Sequence, residues 1–133
     1  MQAKNYERIP QSVEDIGRAV LNAAFKVHTA LGPGFLESLY QTCTAYEVTQ
    51  SGLVVATEVA LPVVYKEVKL DAGLRLDMLV ENCVIVEFKA VEEMHPVYTA
   101  QVISYLKMTG LRLGYLINFN VVHLKDGIRR IAV

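Results

Sequence analysis

The chain has 133 residues, of which 53% are apolar and 20% charged, with a formal net charge of −1. That length is enough for one domain with a real core, and that composition excludes a disordered chain. The apolar stretches break well short of a membrane span, and the near-neutral charge argues against a strongly basic nucleic-acid binder.

The opening residues, 1–11, are polar, end near Pro10 and read as a loose lead-in to a single domain covering 1–133. They contain no basic-then-apolar leader, so a cytoplasmic protein is expected. Cys43 and Cys83 lack metal-ligand spacing and are expected as reduced thiols. Ser12 opens SVED, a capping-box pattern. Val13, Ile16, Val20, Ala23, Ala24, Val27 and Leu31 then recur at helical spacing, predicting a helix over 13–31. LGPG at 31–34 ends it, with Gly32 suited to a left-handed cap and Pro33 blocking continuation. A second helix is predicted from about Phe35 to Ser51, stopping at Gly52.

The pattern then changes to alternation. VVATEVALPVVYKEVKL, residues 54–70, predicts a strand pair with Pro62 at an edge or bend. Strands over 74–80 and 84–89 follow, then a helix from Pro96 to Gly110. LRLGYLINF and the segments on either side of Asp126-Gly127 are predicted to supply the last strands. Helices, a meander and a helical crossover back to the sheet make an α/β sandwich with a mixed central sheet.

Asp77, Glu87 and Lys89 interrupt otherwise apolar strands, and a buried carboxylate is costly unless paired. If Glu81-Asn82-Cys83 forms a three-residue hairpin loop, Val80 faces Val84, Met78 faces Val86 and Leu76 faces Phe88. Leu74, Leu76, Met78, Val80, Val84, Val86 and Phe88 then share one apolar face. On the other face Asp77 falls opposite Glu87, and Arg75 opposite Lys89. An even-numbered loop would scatter the apolar set. Opposed carboxylates repel, and two remedies exist: an ion-pair patch with Arg75 and Lys89, or a divalent cation between the acids. Residue chemistry alone leaves both open.

Asp77 followed by Glu87-Phe88-Lys89 resembles the D…(D/E)-x-K signature of the PD-(D/E)XK nuclease superfamily, whose members share the restriction-endonuclease-like fold. Gly34-Phe35-Leu36-Glu37-Ser38-Leu39-Tyr40 resembles the G-x-x-E-x-x-Y pattern of the GxxExxY family within it. Glu58-Val59, Arg75-x-Asp77, Gln101-x-x-x-Tyr105 and Leu116-Ile117-Asn118-Phe119 follow in the same order, so the resemblance runs from about residue 12 to the C-terminus.

The resemblance implies an α/β/α sandwich and metal-dependent hydrolysis of a phosphodiester, with nucleic acid as partner and DNA the first choice. It implies Mg²⁺ or Mn²⁺ held by Glu37, Asp77, Glu87 and the Phe88 carbonyl, and Lys89 positioning the attacking water. Gln101, Tyr105 and Tyr40 are implied at the substrate. Residue chemistry alone favours Glu37 as a helix N-terminal acid beside an ordinary core Tyr40 and Tyr105 as a half-buried aromatic, and it leaves Gln101 equally a polar residue at a helix–sheet seam. The alternative to an enzyme is a nuclease-fold binding module that turns nothing over. So small a domain would gain binding surface by pairing, which makes a homodimer an expectation. His28, His95 and His123 fit no ligand spacing, and Lys125, Arg129 and Arg130 read as a solvated sheet-edge group.

Overall fold

In the computed structural model, which describes residues 7–133 apart from the side chains at 71 and 72, the first helix (α1) runs Gln11–Leu31. The expected capping box at Ser12 does not form: extended Pro10 takes the cap position, and its carbonyl accepts the N–H groups of Val13 and Glu14 at 3.0 and 3.1 Å. Positions 1–6 of the expected lead-in lie outside the described residues. Within residues 7–10, Ile9 packs on the core and the Glu7 carbonyl accepts a hydrogen bond from Arg112 at 2.6 Å.

The second helix (α2, Glu37–Gln50) starts two residues later than the pattern suggests. Leu36 is extended, and the Phe35 N–H goes to the Tyr40 hydroxyl at 3.1 Å rather than into a helix. Glu37 thereby becomes the first residue of α2. The third helix (α3, Pro96–Thr109) follows His95 and ends at left-handed Gly110, as the Pro and Gly punctuation predicts.

Five strands, β1 (Val55–Tyr65), β2 (Val68–Val80), β3 (Val84–Lys89), β4 (Leu113–Asn118) and β5 (Ile128–Ala132), form one sheet in that order. All neighbours are antiparallel except β3 and β4, which α3 joins as a parallel pair. The sheet is therefore mixed. Pro62 lies on edge strand β1 where the β1–β2 register shifts, between Leu61 and Val63. Only the segment after Asp126-Gly127 is a strand. The segment before it leaves the sheet and turns through a short 3₁₀ helix, Leu124–Gly127. The Val121 carbonyl there meets the buried His28 ring at 2.8 Å.

Helices α1 and α2 cover one face of the sheet over Met78, Val80, Val84, Val86, Phe88 and Phe119. Helix α3 covers the other over Leu76, Ile85 and Leu116. This is an α/β/α sandwich, and β3, with Val84 to Phe88 all buried, is its centre. Leu74 and Leu76, expected with Met78, pack instead on the α3 side. Val59 lies on that side too, whereas Val55 lies on the α1/α2 side. Both strands of the β1–β2 ribbon thus change faces between Thr57 and Val59 and between Leu76 and Met78. At that crease Glu58 holds a left-handed backbone, φ 51°, with Asp77 across from it.

Helix α1 approaches β4 closely at Gly17, where a Cβ would lie 2.8 Å from the Tyr115 hydroxyl and 3.2 Å from Leu113. Gly17→Leu should therefore destabilise the fold by about 1–3 kcal/mol through overpacking, read from the denaturation midpoint in urea.

Candidate active site

The hairpin between β2 and β3 turns through Glu81 and Asn82, both left-handed at φ 51° and 52°. Glu81 is fixed there by two bonds to Val54: its N–H donates to the Val54 carbonyl, and its carboxylate accepts the Val54 N–H, both at 2.9 Å. Val80 pairs with Val84, Leu79 with Ile85 and Met78 with Val86, the register of a three-residue loop. The ladder ends there. The predicted rungs Leu76/Phe88, Asp77/Glu87 and Arg75/Lys89 do not form, because the crease swings β2 away from β3.

The two acids fill the resulting notch. Glu87 Oε1 accepts the Asp77 N–H at 3.1 Å, and Asp77 Oδ2 accepts the Phe88 N–H at 2.9 Å. Each carboxyl replaces a carbonyl that the departing strand no longer offers. The two carboxyls are thereby crowded together, which favours a proton on one of them. Burial, followed by the Asp77 charge, pushes Glu87 up to about 8. Burial likewise raises Asp77, and the charges of Glu58 and Lys89 act on it in opposite directions. Within a strand, N–H and C=O of one residue point the same way, so the Phe88 carbonyl also faces the notch.

Two helices flank it. Glu37, half-buried at the start of α2, is raised by burial, then lowered by Lys89 and the Ala90 N–H, with Asp77 opposing. It stands back from the pair: among the described residues no three acidic, histidine or cysteine side chains are gathered tightly enough to enclose a metal. Lys89 leads into an open cleft of about 430 Å³ along α3, lined also by Tyr98, Gln101 and Ser104. Its ammonium lies 4.6 Å from the Tyr98 ring centroid. Tyr105, one helical turn beyond Gln101 and 4% exposed, is raised by burial and then by the Glu87 and Asp77 charges. Arg75 is exposed and forms no ion pair among the described residues, so it does not neutralise the acids.

Tyr40 is not where a substrate contact would be. It is fully enclosed, stacked on Phe119 at 4.5 Å, and its hydroxyl donates to the Gly32 carbonyl at 2.6 Å while accepting from Phe35. It braces the loop that delivers Glu37. The G-x-x-E-x-x-Y spacing therefore has a structural logic: the tyrosine, one turn on, holds the turn ahead of the glutamate.

Three further residues belong to the site. Glu58 stands across β1–β2 from Asp77, its carboxylate held by Gln41 of α2 at 2.9 Å. Asn118, 3% exposed, pins the chain leaving β3: its Oδ1 accepts the Val91 N–H at 3.1 Å and its Nδ2 donates to the Val91 carbonyl at 2.9 Å. Tyr98 contacts Lys89 directly. A lone acid in a valine-rich strand and an amide inside LINF were visible signals; Tyr98 had none.

The donor set suits a hard divalent cation: two crowded carboxyls, a carbonyl facing the gap and, among the described residues, no guanidinium ion-paired to either acid. Mg²⁺ needs only one or two carboxylates plus water, so the distance of Glu37 is no obstacle.

The raised carboxyls carry a consequence for stability. Glu87 keeps its proton when folded and loses it when unfolded, between its ordinary value of 4.5 and about 8. Its stabilising effect is complete below that window and lost as pH rises through it, with a slope approaching about 1.4 kcal/mol per pH unit. The metal-free protein should thus lose thermal stability from pH 5 to 8, about one proton's worth, and Glu87→Gln should flatten the decline in scanning calorimetry.

Comparison with curated proteins and with solved structures gives no match. A family model described as the PD-(D/E)XK nuclease superfamily matches residues 14–131 of the 133. Members of that superfamily typically use divalent metal ions, and nucleic acid is the partner it implies. No helix among the described residues is long and apolar enough to cross a membrane. The match takes in α1 from residue 14 onward, the whole of α2, the notch with its two acids and the lysine beyond it, and the chain belongs to the PD-(D/E)XK nuclease superfamily.

Proposed function

We propose that this chain is a divalent-metal-dependent phosphodiester hydrolase acting on nucleic acid, DNA being the first substrate to test, and that it is of the GxxExxY type. The observation that carries the reading is the pair of crowded carboxyls, Asp77 and Glu87, cross-bracing an opened ladder, with no arginine or lysine ion-paired to either among the described residues. Such a pair is costly when both acids ionise, and exchange of its proton for a cation relieves that cost.

Mg²⁺ or Mn²⁺ bound there would supply Lewis acidity toward a water nucleophile and a phosphate oxygen. Asp77 and Glu87 would hold it, with the Phe88 carbonyl as a third oxygen and Glu37 as a supplementary acid. Lys89 directs its N–H donors at the attacking water and offsets charge gathering on the phosphate. Gln101 offers its amide to the same phosphate from the cleft. Tyr105 lies enclosed one helical turn beyond it as a secondary contact, and Tyr40 keeps Glu37 in place.

One feature favours a second reading, a binding module without turnover. The net charge is −1, and exposed Glu92 and Glu93 follow Lys89 closely, so a polyanion meets little attraction at the mouth of the cleft.

The test is cleavage of end-labelled single- and double-stranded DNA in Mg²⁺ or Mn²⁺, beside Mn²⁺ titration by calorimetry. Cleavage should depend on the metal, and Asp77→Ala should reduce it on the order of a hundredfold or more. Full metal-dependent cleavage by Asp77→Ala would refute the assignment. Asp77-dependent Mn²⁺ binding without cleavage of any nucleic acid would select the binding module.

A further inference from the structure

Lys89 stands in the field of three carboxyls, since Glu37, Asp77 and Glu87 all feel its charge. Among the described residues its ammonium nevertheless makes no ion pair within 4.0 Å with any of them. It lies over the Tyr98 ring at 4.6 Å, and His95 meets that ring edge-on, at 5.7 Å and 75°. Tyr98 sits in the first turn of α3, which Pro96 opens. The ring's position is therefore set by the start of a helix, not by a flexible loop.

A flexible ammonium beside a buried acid pair has an evident alternative partner. Lys89 has a four-carbon stem and rotatable donors, and it borders the notch. Were it to fold onto Asp77 and Glu87, it would neutralise the pair and fill the place between them. A cation–π contact on a half-buried ring competes with that collapse and leaves the N–H donors free, because a ring face attracts charge without accepting directed hydrogen bonds from every proton.

We propose that Tyr98 is a positioning residue that holds the Lys89 ammonium off the Asp77–Glu87 pair, keeping the notch open to a divalent cation and presenting the lysine's donors to the cleft. This rests on the functional reading above. It makes Lys89 a potential competitor of the cation, restrained by the ring.

The experiment compares wild type, Tyr98→Phe, Tyr98→Leu, Lys89→Met and the Tyr98→Leu/Lys89→Met double variant by Mn²⁺ titration calorimetry. Proton NMR of the lysine side chain is recorded alongside. In wild type and Tyr98→Phe the Lys89 Cε protons should be shifted upfield by the ring, and in Tyr98→Leu that shift should vanish. Tyr98→Leu should bind Mn²⁺ about tenfold more weakly than wild type, with Tyr98→Phe unchanged. The double variant should recover the affinity of Lys89→Met, which a general loss of structure would not allow. Equal Mn²⁺ affinity in wild type and Tyr98→Leu, or no ring shift in wild type, would overturn the inference alone. A wild-type protein that binds no Mn²⁺ would overturn the functional reading and this inference together.

Discussion

Two carboxyls do the work of a missing hydrogen-bond ladder. Where β2 leaves β3, the Asp77 N–H and the Phe88 N–H would be left without partners in a sheet covered on both sides. Glu87 and Asp77 accept them instead. That arrangement satisfies the backbone, but it brings two acids together in a place largely closed to water. Satisfied donors and crowded acceptors are one geometry, so the local stability of the sheet and its suitability for a cation cannot be separated. Burial is the main reason the pair keeps a proton, and mutual repulsion is the second.

The rest of the domain positions groups around that notch. The crease at Glu58 and Asp77 opens it, and Gln41 ties the edge strand to α2 at the same level. Tyr40 locks the turn between α1 and α2, so that Glu37 arrives at a helix start facing Asp77 and Lys89. Asn118 fixes the exit of β3 by bonding both backbone groups of Val91. Phe119, between Tyr40 at 4.5 Å and Phe88 at 5.7 Å, links these braces through stacked rings. On the far side α3 carries Tyr98, Gln101 and Tyr105. The acids are thus reached from both faces of the sheet, which requires the crease: in a regular ladder their side chains would be confined to one side.

Much of this was legible in the residues. The three-residue loop followed from apolar pairing, since only an odd loop keeps Met78 with Val86 and Val80 with Val84, and that is the register found. Helix stops at Gly32, Gly52 and Gly110 followed from backbone chemistry. The crease was not legible. Strict alternation puts Leu76 beside Met78, but a left-handed glutamate in a strand leaves no compositional trace, and the face change it accompanies sends Leu74 and Leu76 to α3. Residue chemistry favours Tyr40 as a core tyrosine and only the resemblance implies it at the substrate; what encloses it is Phe119, far along the chain. The valine-rich segment before Asp126 resembled a strand because composition does not reveal that His28 holds it out of the sheet. Position in three dimensions, not residue type, decided each of these.

The notch between Asp77 and Glu87 is proposed here as the seat of a divalent ion. The most direct measurement is a crystal soaked in Mn²⁺ and recorded near the manganese absorption edge. The account requires an anomalous peak bridging the two carboxylates, with the Phe88 carbonyl oxygen at ligand distance and the Lys89 ammonium still over the Tyr98 ring. Density showing the carboxylates closed on each other or on Lys89, with no anomalous signal between them, would contradict it.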